Sequence, residues 1–272
     1  MLSSMPLKPI FSLATAACLM VGVAAPALAA NMASYRAVYD VRLAEAKRGS
    51  AVSAASGQIA YGVKEACEAW LVNQTGTMYL QTTEGDVLPQ TLNFSSWEAH
   101  DGTQYRFTVM GDEIDDTILG GAHLSKDGQA GGEAQFAKPE AATFPLPART
   151  VFPMEHTEHI LAQALAGKTQ FQNTVFEGTD VEGAKLLVTF VSPLSDRAKT
   201  MSSRFKMDAL KRPGWTFRLA YFDPVSQDSE PMYEIEADYL DNGIPVRWML
   251  DYGDFTVEMG MSKIEILPAP DC

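Results

Sequence analysis

The residues with the greatest chemical potential lie in one short run, Glu155-His156-Thr157-Glu158-His159. Two histidines three residues apart share one side of a helix, and with a nearby carboxylate they could hold a zinc ion. The spacing is not H-E-x-x-H, however, and His100 and His123 are the only other histidines in the chain. At roughly 100° per residue both rings fall away from Leu161, beside Gln163, so a solvated polar face is expected. Carboxylates offer a second route to chemistry, in Asp115-Asp116 and in the alternating Glu234, Glu236 and Asp238. They could act as general acid and base or bind calcium. Spaced two apart on a strand, the latter three are instead expected to form a solvent-facing row. No G-x-S-x-G elbow, P-loop or G-x-G-x-x-G fingerprint occurs. No catalytic, cofactor-binding or metal-ligating residue is therefore assigned, and the chain is read as non-catalytic.

The thiols are Cys18, Cys67 and Cys272. Residues 1–29 carry one charge, Lys8, then an apolar run from Phe11 to Ala25, then Pro26-Ala27-Leu28-Ala29. A basic start, an apolar middle and a small-x-small end make a secretory signal peptide cleaved before Ala30. The run is too short to span a membrane, and no other stretch is long and apolar enough. The expectation is an exported chain of one domain, residues 30–272, with Cys18 discarded and Cys67 and Cys272 retained. In an oxidising compartment those two could pair with each other, bridge to another chain or stay free.

Positioning such groups requires a framework, and the dominant period is two. Tyr35, Ala37, Tyr39, Val41 and Leu43 alternate with Arg36, Asp40 and Arg42, which predicts a half-buried strand. The pattern recurs at Ile59-x-Tyr61-x-Val63, at Tyr105-x-Phe107-x-Val109 and from Tyr233 to Tyr239. Turn signals at Glu84-Gly85-Asp86, Asp101-Gly102, Lys126-Asp127-Gly128, Asp241-Asn242-Gly243 and Tyr252-Gly253-Asp254 make neighbouring strands antiparallel. Phe255, Val257, Met259 and Met261 keep one phase and Ile264 and Ile266 the other, which predicts a bulge near Ser262. One helix is expected, at about 154–166, with Gly167 as its stop. Gly120–Pro147 reads as hairpins or a loop, and Ser192–Arg204 as a polar connection.

Of the 272 residues 46% are hydrophobic, enough for a sizeable core, and the net charge is -13. That balance disfavours nucleic acid, whose phosphates need Lys and Arg. Trp70, Trp97, Trp215 and Trp248, with Met259 and Met261, supply large apolar groups to a curved sheet that has one helix to cover it. They either fill the core or line an apolar groove.

The order of several short motifs resembles the cell envelope integrity EipB family of periplasmic proteins from α-proteobacteria. These are Tyr35-Arg36-Ala37-Val38-Tyr39-Asp40, Gly57-x-Ile59-x-Tyr61 before Cys67, Phe152-Pro153-Met154-Glu155-His156, Ala166-Gly167-Lys168, Phe176-Glu177-Gly178-Thr179-Asp180, and Gly243-Ile244-Pro245 with Leu250-Asp251-Tyr252. The resemblance implies a mainly β fold: a highly curved antiparallel sheet, a β-spiral of about a dozen or more strands, similar in shape to LolA, LolB and RseB. It also implies a Cys67–Cys272 disulfide and a non-catalytic role in envelope integrity. The expected partner is a lipid, a lipoprotein or a periplasmic protein, such as a repeat protein, on a concave surface. A metal-dependent or carboxylate-based envelope hydrolase and a structural scaffold are the alternatives.

Overall fold

A computed structural model describes residues 32–111, 117–126, 130–224 and 230–272. The signal segment, Cys18, Asp115-Asp116 and the Asp127-Gly128 of one expected turn lie outside the described residues. From Tyr35 the chain forms a meander in which each strand pairs antiparallel with the next. Its members are β1 (Tyr35–Ala46), β2 (Val52–Glu65), β3 (Ala69–Thr82), β4 (Val87–Ala99), β5 (Gln104–Gly111), β6 (Ile118–Leu124), β7 (Gly132–Lys138) and β8 (Ala142–Leu146). Next come β9 (Thr150–Val151), helix α1 (Pro153–Leu165) and β10 (Gln170–Val175), with β9 and β10 parallel. A second meander follows through β11 (Lys185–Pro193), helix α2 (Asp196–Ser203), β12 (Gly214–Phe222), β13 (Tyr233–Leu240), β14 (Pro245–Asp251) and β15 (Phe255–Ile266).

β15 pairs antiparallel with β1, so the first and last strands meet in the middle of one 15-stranded sheet. Its two edges, β8 and β9, are joined by only residues 147–149, with Arg149 at φ 63°. So short a link brings the edges together, and the sheet curls into a nearly closed, barrel-like spiral. In the β1–β15 ladder Val38 faces Lys263 and Tyr39 faces Met261, which leaves Ser262 as the extra residue of the expected bulge. Within the described part of Gly120–Pro147, β6, β7 and β8 pair antiparallel in turn, as the hairpin reading expects.

Alternation places Tyr35, Ala37, Tyr39 and Val41 in the interior while Arg36, Asp40 and Arg42 stay exposed outside. α1 is the expected helix. Pro153 opens it, its missing N–H costing nothing in the first turn, and Gly167 at φ 76° follows its last turn. It lies across one end of the spiral, where Leu161 approaches the Leu240–Pro245 turn and Glu158 accepts a hydrogen bond from Trp70 Nε1 at 3.2 Å.

Two expectations fail together. Ser192–Arg204 contains α2, which Ser195 caps by accepting from Ala198 N at 3.1 Å, and which packs Ala198 and Met201 onto the outside of β14 and β15. The carboxylate row is therefore not wholly solvent-facing. Asp238 is fully buried beneath α2, held by Ser195 Oγ at 2.9 Å, Arg247 Nε at 2.5 Å and the Thr216 hydroxyl. Arg247 also pairs with Glu236, while Arg42 and Arg197 both pair with Glu258 beside it. Opposite charges inside a covered patch satisfy one another, and removing one partner would strand the rest.

Beyond β15 the chain is tied back: Cys272 is bonded to Cys67, 205 residues earlier, with 5.6 Å between the Cα atoms. Closing a loop of that length restricts the unfolded chain by about 5 kcal/mol in the chain-entropy model. A Cys67→Ser, Cys272→Ser variant should lose about 2–5 kcal/mol of stability by urea denaturation, and an unchanged midpoint would contradict this role of the tether.

Candidate functional site

Among the described residues, α1 packs over one end of the interior, while at the other the inward-facing apolar side chains are only half-buried. At the closed end, the Phe152 N-cap of α1 has no side-chain acceptor to offer. β4 supplies one. The Glu98 carboxylate accepts from Met154 N at 2.8 Å and Glu155 N at 2.7 Å, satisfying two of the helix's free donors. Burial pushes the Glu98 carboxyl up to about 8, against the pull of those two donors. Met154, Ile160, Leu161 and Ala164 pack into the main interior cluster with Tyr35, Tyr39, Val63, Trp70 and Leu187.

The two helix histidines do not share a solvated face. His156 is 6% exposed, its Nε2 has no hydrogen-bond partner within the protein, and burial with His159 nearby lowers its pKa to about 3. His159 is half-buried, with Gln163 Nε2 2.9 Å from its Nε2 and Asn173 Nδ2 3.0 Å from its Nδ1. Its ring stacks over Phe171 at 6.2 Å. Among the described residues no three His, Cys, Asp or Glu side chains converge as a metal site.

After β10 the chain turns into the interior. Gly178, at φ 69°, lies flat on the Phe107 ring, where an added Cβ would meet ring carbons at 2.7 Å. Tyr105 donates to the Glu177 carbonyl at 2.9 Å and Tyr221 to its carboxylate at 3.1 Å. Burial raises the Glu177 carboxyl. Burial disfavours the Lys185 ammonium, but its pair with Asp180 outweighs that and leaves its pKa raised.

Away from α1 the inner face changes character. Val41, Ala55, Ile59 and Val257 form a small cluster whose surround is only half-buried: Leu43, Met78, Leu80, Phe255 and Met259. Trp248 forms the floor between this cluster and the closed end. Its ring lies 4.5 Å from Tyr39 and 5.4 Å from Tyr61, and Tyr39 is itself fixed by donating to the Pro245 carbonyl at 2.7 Å. Trp248 pairs with Met259 across the β14–β15 ladder, and Met261, buried, lies two residues further along the same face.

The other tryptophans stand apart. Trp70 is buried at the closed end beneath Glu158. Trp215 lines a separate hollow near the end of α1, with Ala164, Val191 and Leu194. Trp97 faces outward, because its neighbour Glu98 points inward, and Arg106 lies 5.0 Å over its ring.

Residues 26–268 match the EipB-like family model. The chain belongs to the EipB-like family. It is 28% identical over 257 residues to the cell envelope integrity protein EipB of Brucella abortus (strain 2308), an alignment covering 90% of this chain and 88% of that protein. The crystal structure of a beta-barrel-like protein of domain of unknown function DUF1849, also from Brucella abortus, superposes with a TM-score of 0.77 at 26% identity. That match covers 88% of this chain and 99% of the other. The family resemblance and the mainly β, curved fold are thus both found.

Reading the sequence missed Glu98 as a cap, because its partner helix begins 55 residues later, and it missed the burial of His156. An unfolded chain takes up a proton on His156 as pH falls below about 6.5, while the folded chain resists until about 3. Its neutral form therefore favours folding above 6.5, and that contribution is lost as pH drops through this window. His156→Leu should remove the loss, so the gap between variant and wild-type urea stability should widen toward acid, on the order of a few kcal/mol. A gap independent of pH would contradict the burial.

Proposed function

We propose that this chain is a non-catalytic periplasmic protein that supports cell-envelope integrity by holding the acyl chain of a lipid or lipoprotein in the uncovered end of its sheet. The envelope role rests on the Brucella relative's name, cell envelope integrity protein EipB. Export rests on the Lys8, apolar-run and Ala27-x-Ala29 pattern. No helix among the described residues is long and apolar enough to cross a membrane.

One observation carries the binding half: inward-facing Leu43, Met78, Leu80, Phe255 and Met259 remain partly accessible although each belongs to the apolar face of its strand. Partly covered apolar side chains grouped in a concavity gain by burying a further apolar group, about 25 cal/mol for each Å² removed from water. Methionines suit a flexible chain, since they repack around different shapes. The closed end, stacked from Trp248 down through Tyr39, gives such a chain a floor.

Native mass spectrometry of protein exported to the periplasm and purified without detergent should show a bound amphiphile, recoverable by organic extraction. A Met78→Glu, Leu80→Glu variant should retain at least tenfold less. A wild-type chain carrying no amphiphile, or one that copurifies only with a protein, would contradict acyl-chain holding.

A further inference from the structure

The outer face of the sheet carries a feature that the interior does not explain. Solvent-facing strand positions ordinarily bear long polar side chains, yet across β15, β1, β2 and β3 two of them are Ala60 and Gly62. The ladders place these in rows: Lys263, Val38, Ala60, Thr75, and next to it Glu265, Arg36, Gly62, Asn73. With almost no side chain at the third position of each row, the surface sinks into a trough of about 480 Å³. That lies within the range of small-ligand sites. Val38 and Leu71 supply apolar walls, and Leu267, where the chain leaves β15 for its tether, closes one end.

Three cations, Arg36, Lys64 and Lys263, surround this apolar floor, with one carboxylate, Glu265, among the lining residues. All three are exposed and none has a salt-bridge partner among the described residues. Arg42, Lys185, Arg197, Arg212, Arg218 and Arg247 are each paired with carboxylates, and other cations such as Lys47, Arg48 and Lys168 stand unpaired on the surface among the described residues; the trough's three differ in lining one apolar hollow together. In a chain of net charge -13, unpaired positive charge gathered round an apolar trough calls for an occupant that is anionic at one end and apolar along its length.

We infer that this trough is a second ligand site, for a phosphate-headed amphiphile whose headgroup pairs with Arg36, Lys64 and Lys263 while its chain lies over Ala60 and Gly62. It is separated from the interior by the sheet itself, and it requires charge where the interior site does not.

Gly62 makes the test selective. A Cβ there meets only Arg36 Cγ at 3.4 Å and the Tyr35 carbonyl at 3.5 Å, and its φ is not in the left-handed region, so Gly62→Val should fold and point its methyls into the trough. Dodecyl phosphate, below its micelle-forming concentration, is the calorimetric probe, with dodecyl maltoside as the neutral chain and inorganic phosphate as the bare head. In the Met78→Glu, Leu80→Glu background, which disables the interior site that would itself take the neutral chain, dodecyl phosphate should bind at least tenfold tighter than either control. Both Gly62→Val and Lys64→Glu, Lys263→Glu should weaken it at least tenfold, with the urea midpoint of Gly62→Val unchanged or higher. Equal binding of either control would overturn the inference. So would undiminished binding to Gly62→Val, and if Met78→Glu, Leu80→Glu abolishes that binding, the amphiphile belongs to the interior alone.

Discussion

The pairing of β1 with β15 is the constraint on which the rest depends. Each half of the chain is a meander that could form from local hairpins, but neither half alone encloses an interior. Joining the first strand to the last turns two meanders into one sheet, and the three-residue link between the opposite edges then forces that sheet to curl. Everything inside follows from this closure: Tyr35 and Tyr39 face Leu161 and Trp248 because β1 sits at the centre, with strands curling round from both sides. The disulfide reinforces the same seam, since it fastens the tail of β15 just beyond the end of β2.

Closure leaves two ends with different fates. One receives α1, whose apolar face completes the core and whose first turn is satisfied by a carboxylate from the opposing meander. The other has no such cover among the described residues, and its inward leucines and methionines are left half-exposed. A protein that needed only stability would gain by filling that end. On the outside, α2 buries the Asp238, Arg247 and Glu258 centre of one charged patch, while the trough on β15 to β3 is left open and rimmed with cations. The sheet thus carries half-buried apolar side chains on its inner face and a trough lined by three cations on its outer face.

Much of this architecture was legible in the sequence, for a definite reason. Strand parity is a local property, so Tyr35 to Leu43, the hairpin turns and even the Ser262 bulge could be read directly. α1 was equally plain, with Pro153 before a helical stripe and Gly167 after it. Its exposed face was not. Met154, His156, Ile160, Leu161 and Ala164 span roughly 160° of the helix, because the sheet wraps α1, and His156 falls at the rim of that arc. α2 has eight residues and two buried apolar positions, too short a pattern to stand out from a polar connection, and without it Asp238 looks like the end of a solvated row. Trp97 shows the limit of composition: its type suggested the groove, but the strand turns Ser96 and Glu98 inward and Trp97 out. The trough was visible only as an absence of side chain, at Ala60 and Gly62, which acquires meaning once the neighbouring strands are known.

The proposed function requires the uncovered end to take up an apolar chain and the end sealed by α1 to exclude one. Quenching of single-tryptophan variants by a zwitterionic lipid carrying bromine on its acyl chain measures this directly, because bromine quenches only at close range. A chain retaining only Trp248 should be quenched, and one retaining only Trp70, buried under Glu158, should keep its emission. Equal quenching of both, or none at Trp248, would contradict it.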